Sequence, residues 1–320
     1  IALHLGLIAL KLNMKSFFTG SKTEPEESGR VNSLLKWYGK KNCAVRGISF
    51  GVHAHECFGL LGTNGAGKTS TFEILTGNAI ASAGSALVAG VNCAKMATIG
   101  YCPQFDALLP DLTGYQCLRI LAAMHGYADP GRVAHLIVEC VGMSDHADKK
   151  TKSYSGGQRR KISVGVALLA QNSLIILDEP TAGIDPEARR DILTVLVALR
   201  DHTQTAIVLT SHSMDEVEAL CSRVAIMKRG RIVALGSAQA LKTKYGDHYK
   251  LAIVLQKLEP LDKVTPIVQS HFPKARLIPG AATKTIHFEI PREPNQKWSE
   301  LFAAATKAAE EHGTTDYCLS

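Results

Sequence analysis

No stretch of this 320-residue chain reaches the ~18 consecutive apolar residues that a membrane-spanning helix needs. The nearest candidate, Ile1 to Leu10, is interrupted by His4 and stops at Lys11. It has neither the basic start nor the small-residue cleavage site of a secretory signal. Because the chain does not begin with methionine, these residues are read as the tail of something longer. The 8 cysteines include no C-x-x-C pair and have irregular spacings and mostly apolar neighbours. That pattern excludes a disulfide frame or a zinc site and predicts reduced, buried thiols in an intracellular compartment. His53-Ala54-His55 has no third ligand nearby, so an exposed strand or turn is the expectation rather than a metal site.

A long basic stripe is also missing. Net charge is +7 and the sequence pI is near 8.9, which suits anionic partners such as nucleotides or a lipid face without choosing between them. The basic residues are spread out, with short runs such as Arg159-Arg160-Lys161, and these read as solvated faces rather than a nucleic-acid footprint. What is present is an ordinary globular composition, 46% hydrophobic and 20% charged, on a chain long enough for one large domain and a small one.

Residues 19–33 form a polar linker by composition. Beyond them, short β-rich runs alternate with helical stretches, the pattern of an α/β domain on a mainly parallel sheet. Antiparallel strands are expected at Ser33–Tyr38 and Val45–Val52, and buried strands at Glu56–Leu61, Ser173–Leu177 and Thr205–Leu209. Helices are expected over Lys68–Leu75 and Pro186–Asp201, and a mostly helical insert over Leu112–Val141, broken at Asp129-Pro130-Gly131. Arg223–Leu235 reads as a hairpin turning at Lys228-Arg229-Gly230. After Gly246 the expected order is βαββαβ, a ferredoxin-like arrangement.

The chemistry begins at Gly62-Thr63-Asn64-Gly65-Ala66-Gly67-Lys68-Thr69, a G-x-x-x-x-G-K-[ST] loop between an apolar strand and a helix. Such a loop turns successive backbone N–H groups inward and adds the positive end of the following helix, so it cradles phosphates. Lys68 supplies a point charge and the Thr69 hydroxyl a Mg²⁺ ligand. Asp178 ends an apolar run at the carboxyl edge of a sheet, where a carboxylate can hold the Mg²⁺ water shell, and Glu179 can act as general base or positioner. His212 closes another apolar strand and is either structural or a γ-phosphate contact. Gln104 carries little signal alone. Ser155-Gly156-Gly157-Gln158 opens a helix as a second anion site or a simple N-cap. One subunit hardly needs two such sites for one phosphate, whereas two cassettes facing head to tail do.

Taken in order, the loop at 62–69, Gln104, the SGGQ segment at 155–158, Asp178-Glu179, Ala182-Gly183-Ile184-Asp185 and His212 resemble an ABC transporter nucleotide-binding domain. Cys57-Phe58-Gly59-Leu60-Leu61-Gly62, Tyr154 and Thr210-Ser211-His212-Ser213-Met214-Asp215-Glu216 look like the A subfamily of lipid exporters. The Thr-Ser-His-Ser form and Asp316-Tyr317-Cys318-Leu319-Ser320 are most similar to its second cassette. The resemblance implies that Tyr38, or else neighbouring Trp37, stacks on adenine. It adds Ser70 to the nucleotide contacts and Gln104 to the metal ligands, with Gln104 coupling the γ-phosphate to the transmembrane docking surface. His212 becomes a switch contact and Asp185 a bridge to the opposing cassette.

The expected organisation is then a membrane-segment tail and linker at 1–30, a P-loop ATP-binding cassette at 31–245 and a small regulatory-type domain at 246–320. The cassette would combine a mainly parallel sheet with an antiparallel β-subdomain and a helical insert. The implied function is ATP and Mg²⁺ binding and hydrolysis for lipid or sterol export. Implied partners are a second cassette and transmembrane domains, on the cytoplasmic face of a membrane and without nucleic acid. The alternative weighed is a soluble ABC ATPase acting on ribosomes or nucleic acid, against which the interval between P-loop and SGGQ is too short for a coiled coil.

Overall fold

The structure, a computed structural model, describes residues 27–95, 99–170, 174–245, 248–254, 261–278, 285–292, 298–311 and 316–319. The apolar opening at 1–10 and the polar stretch up to residue 26 lie outside the described residues, as do Ser173, Gly246, Leu255 and His312 at the edges of expected elements. Two compact units divide between Gln239 and Ala240.

In the first unit, β1 (Glu27–Tyr38) and β2 (Asn42–His53) pair antiparallel. The segment expected to be linker as far as Ser33 is therefore strand from Glu27 onward. The reason is tertiary: β1 is the inner strand of an antiparallel sheet, held on its other side by β4 (Ala83–Val88), so its backbone groups are paired whatever its composition. Strand β3 (Cys57–Gly62) leads into the glycine-rich loop, and helix α1 (Lys68–Leu75) leaves it. The short β5 (Val91–Asn92) closes the antiparallel sheet in the order β2-β1-β4-β5.

A second sheet carries the site. Its members are β3, β6 (Gly100–Cys102), β7 (Leu174–Leu177), β8 (Ala206–Ser211), β9 (Arg223–Lys228) and β10 (Arg231–Gly236), in the order β10-β9-β3-β8-β7-β6. All neighbours in it are parallel except the β9–β10 hairpin. Strands β7 and β8 are buried along their whole length, as fits apolar runs covered on both faces. Because β3, β6, β7 and β8 run the same way, the residues that follow them emerge at one edge.

Between β6 and β7 lies the helical insert. Helix α2 (Gly114–Met124) starts at a Thr113–Gln116 capping box, and α3 (Pro130–Cys140) at an Asp129 cap followed by proline. Helix α4 (Gly156–Leu168) follows. These three share a core built on Leu118, Ala122, Ile137, Val138, Ile162 and Leu169. Helix α5 (Pro186–His202) crosses over from β7 to β8, and α6 (Met214–Leu220) follows β8. The division between the units falls within α7 (Ala238–Tyr245).

The second unit contains β11 (His248–Val254), α8 (Leu261–His271), β12 (Arg276–Leu277), β13 (Thr285–Pro291), α9 (Trp298–Glu311) and β14 (Tyr317–Leu319). Its sheet is antiparallel in the order β12-β13-β11-β14. Phe288 is fully buried at the centre of its core, opposite Leu251 and Leu277. Phe288→Ala is expected to destabilise this unit by about 3–5 kcal/mol, the cost of lost burial plus a cavity. Denaturant unfolding followed by Trp298 fluorescence in a Trp37→Phe background measures it, since the chain has 2 tryptophans.

Cys57, Cys93, Cys102, Cys117 and Cys221 are buried, as expected, whereas Cys43 and Cys140 are half-buried and Cys318 is exposed. Burial pushes the Cys102 and Cys140 thiols up to about 12 and Cys93 to about 11, so these three are protonated and unreactive near neutrality. His55 is occupied structurally, its Nδ1 lying 2.8 Å from the Thr203 carbonyl oxygen. Among the described residues no cluster of three His, Cys, Asp or Glu could hold a metal, and no helix is long and apolar enough to cross a membrane.

Candidate nucleotide site

The loop after β3 is shaped by its glycines. Gly67 has φ 106°, and a Cβ there would lie 2.4 Å from the Ala44 carbonyl oxygen, so only glycine lets the loop press against β2. A Cβ on Gly62 would likewise meet the Met227 carbonyl oxygen at 2.6 Å. Lys68 is 6% exposed, and its ammonium donates to the Gly62 carbonyl at 2.6 Å and toward that of Thr63 at 3.4 Å. The loop's own carbonyls hold its ammonium beside the cavity.

A cavity of about 490 Å³ opens over this loop, lined by Asn64, Gly65, Gly67, Lys68, Thr69 and Ser70 from the loop and α1, and by Gln104 and Glu179. Tyr38 also lines it, whereas neighbouring Trp37 does not. The Tyr38 hydroxyl donates to Glu73 Oε2 at 2.6 Å, and Lys36 Nζ lies 5.0 Å from the ring centroid. Partial burial, then the Glu73 carboxylate, push the hydroxyl above its ordinary pKa, so it stays a donor. Two cations that sequence reading did not single out, Arg46 and Arg229, also line the cavity. With Lys68 they outnumber the one lining carboxylate, which favours a polyanion.

At the carboxyl edge of the sheet the expected residues converge. The Thr69 hydroxyl lies 3.3 Å from Asp178 Oδ2, so loop and carboxylate share one point. Asp178 is 1% exposed, and its other oxygen accepts the Thr210 hydroxyl proton at 2.6 Å. Thr210 in turn accepts the Glu179 backbone N–H at 2.8 Å. Glu179 itself is the meeting point: Gln104 Nε2 donates to Oε2 at 3.1 Å, and His212 Nε2 lies 2.5 Å from Oε1. Its backbone has φ 50°, a left-handed conformation that a non-glycine residue adopts at a cost and that tends to mark function. The donor set suits Mg²⁺, a hard cation that takes a hydroxyl and one or two carboxylates together with substrate phosphates. Asp178 and Thr69 offer that combination without a dedicated cage.

Ser155 to Gln158 does not line this cavity. Ser155 Oγ accepts from Gln158 N and Gln158 Oε1 from Ser155 N, a complete capping box. The N-cap reading is thus realised, yet Ser155 and Gly156 remain exposed, with open space where a Gly156 Cβ would stand. Gly157 has a packing reason of its own, since a Cβ there would sit 2.7 Å from both Asp185 Oδ1 and Ala188 Cβ. Asp185 is exposed and caps its own helix, accepting from Ala188 N at 2.9 Å. Both segments stand apart from the cavity that holds Lys68 and Glu179.

The reading of Arg159-Arg160-Lys161 as a solvated face is overturned. Arg160 is 3% exposed, and its guanidinium donates to the carbonyls of Pro103, Gln104, Asp178, Glu179 and Pro180. Lys161 pairs with Asp191 at 2.6 Å. The available signal was helical phase: Arg160 lies three residues after buried Gly157 and four before buried Val164, on the inward face of α4. Thr210, named in the sequence only as part of the subfamily pattern, belongs to the site as well: it is the first polar residue after the apolar run Ala206–Leu209 and bridges Asp178 and the Glu179 backbone.

A family profile described as "ABC transporter" matches residues 45–182, and one described as "AAA domain, putative AbiEii toxin, Type IV TA system" matches 150–218. The chain is 48% identical over 93% of its length to ABC transporter ced-7 of Caenorhabditis elegans. It is 40% identical over 91% to the phospholipid-transporting ATPase ABCA3 of Mus musculus, and 37% over 91% to ATP-binding cassette sub-family A member 2 of Homo sapiens. It spans 18%, 18% and 12% of those relatives, respectively. Among solved structures, a dimeric post-hydrolysis cassette bound to ADP and Pi matches with a TM-score of 0.61 at 17% identity, over 66% of this chain and 98% of that one. CbiO1 from Clostridium perfringens, part of an ABC transporter complex, matches with 0.61 at 24% identity, over 69% and 92%. At these identities the likeness shows the fold, a P-loop ABC cassette. None of these matches supports a soluble ATPase acting on ribosomes or nucleic acid.

Proposed function

The chain belongs to the ABC transporter ATP-binding family, with its relatives in subfamily A, and from that premise we propose that it is the ATP-hydrolysing cassette of a phospholipid or sterol exporter. The observation that carries the reading is Glu179, contacted by both Gln104 and His212 over the same cavity as Lys68, Thr69 and Tyr38. Tyr38 stacks on the adenine, the inward N–H groups of Gly65 to Thr69 take the phosphates, and Lys68 leaves its loop carbonyls to meet the β- and γ-oxygens. When bound, Mg²⁺ supplies charge neutralisation at those oxygens, with Thr69 and Asp178 placed to hold it and Gln104 beside them. Glu179 orients the attacking water and accepts its proton, and His212 restrains the carboxylate.

A second cassette completes the arrangement. Because the exposed start of α4 lies outside the Lys68 cavity, it is free to face the γ-phosphate of a head-to-tail partner, with Asp185 beside it. In this reading the partner and the transmembrane domains lie elsewhere in a longer protein, and the cassette works on the cytoplasmic face of the membrane. The name of one relative, a phospholipid-transporting ATPase, supports phospholipid as the substrate class. For the second unit, the βαββαβ order and the antiparallel arrangement β12-β13-β11-β14 support a ferredoxin-like fold, and the subfamily resemblance implies a regulatory role for it.

The test uses the full-length protein in proteoliposomes, with Mg²⁺-dependent ATP turnover and movement of a labelled phospholipid as readouts. Lys68→Ala is expected to weaken ATP binding by about 10–100-fold, the worth of a charge-assisted hydrogen bond, and to stop lipid movement at cellular ATP levels. Unchanged ATP affinity and unchanged transport in that variant would refute the reading.

A further inference from the structure

Arg160 is a buried cation whose acceptors are chiefly backbone carbonyls. Its side chain is 4% exposed, and the nearest carboxylate, Asp106, lies at 3.5 Å. The carbonyls fall on two separate loops. Nη1 donates to Pro103 at 2.5 Å and to Gln104 at 3.3 Å, in the segment following β6. Nη2 donates to Asp178 at 2.6 Å and Glu179 at 2.9 Å, and Nε to Pro180 at 3.0 Å, in the segment following β7. One planar group therefore sets the spacing between the two backbones whose side chains meet in the Gln104–Glu179 hydrogen bond. It also holds the carbonyls on either side of the left-handed Glu179.

The rigid body that carries this guanidinium is α4, whose exposed N-terminus is the Ser155–Gly156 segment. We propose that Arg160 is a positioning residue for hydrolysis, which transmits the orientation of the Ser155 helix to Gln104 and Glu179 of the same chain. Any tilt of α4 moves five donor–acceptor pairs at once, and buried hydrogen bonds to a charged group are too costly to leave broken. Glu179 and Gln104 therefore follow the helix. Engagement of the helix N-terminus thus aligns the hydrolytic residues of its own chain, which sit in the other site. The inference rests on the proposed role of Glu179.

The experiment compares Arg160→Met, Arg160→Lys and Glu179→Gln in the full-length transporter, measuring kcat and KM for ATP and the Kd of a non-hydrolysable ATP analogue. We expect both Arg160 variants to lose about 10–100-fold in kcat, as small misplacements of catalytic groups do, with KM and analogue Kd within about threefold of the parent. Lysine is not expected to rescue, because its ammonium carries three donors against the five of a guanidinium fork. If Arg160→Met does not fold, Arg160→Lys decides. A kcat within twofold of the parent in a folded variant, or a loss carried by KM and Kd, overturns the inference. If Glu179→Gln also turns over normally, the base role falls with it; if Glu179→Gln is inactive, the failure belongs to Arg160 alone.

Discussion

Glu179→Gln in the full-length protein lowers steady-state ATP turnover by about 10²–10⁴-fold, the usual contribution of a general base, and leaves ATP bound. The amide keeps the length of the side chain and can still accept from Gln104, so the cavity retains its shape. What it loses is the ability to take a proton from water. It also replaces the carboxylate that faces His212. Lys68, Thr69 and the glycine loop are untouched, so nucleotide affinity is maintained or rises once turnover no longer clears the site. Filter retention of labelled ATP, together with single-turnover phosphate release, measures both halves of the expectation. Normal turnover would remove Glu179 as the base, and loss of binding would mean that its role is to build the cavity.

The second large effect lies in the loop. Gly67→Ala places a methyl group 2.4 Å from the Ala44 carbonyl oxygen at φ 106°, a region that side chains rarely occupy. The overlap is with backbone, which cannot rotate away, so the loop must leave β2 and the N–H groups that precede Lys68 lose their common focus. Nucleotide affinity is expected to fall more than about 100-fold, since several charge-assisted hydrogen bonds are misaligned together. Gly65→Ala is the control. Gly65 has φ 77° but no atom within 4 Å of an added Cβ, so it carries only the left-handed cost of about 1–2 kcal/mol, near tenfold. Equilibrium titration with a fluorescent ATP analogue separates the two, and equal losses would show that conformation rather than the contact with Ala44 governs the loop.

How much of this was legible before the structure depends on whether the controlling interactions are local. The helix over Lys68–Leu75, the crossover helix from Pro186 and the hairpin at Lys228-Arg229-Gly230 follow from glycine, proline and periodicity, and each stands where the sequence places it. The segment from Glu27 to Asn32 did not read as strand, because its polar composition carries no strand signal and what makes it strand is pairing with β2 and β4, which are distant in the chain. Arg160 was misread for a related reason. A run of three basic residues looks solvated until the helix is docked and one of its faces turns inward onto carbonyls from two other loops.

By itself the sequence determined the inventory of chemistry: a phosphate loop at 62–69, carboxylates at 178 and 179, a glycine-rich helix start at 155, and the family to which they point. These are encoded in residue type and short spacing, which any backbone with that local conformation preserves. Only the tertiary structure decided which of them act together. The parallel order β9-β3-β8-β7-β6 brings the ends of β3, β6, β7 and β8 to one edge, so Lys68, Gln104, Glu179 and His212 meet although long segments separate them in the chain. The same packing leaves the Ser155 helix end outside that cavity while burying Arg160 behind it. Adjacency across a sheet is set by hydrogen-bonded strand order and by which faces must be dry, and neither is written in the spacing of a motif.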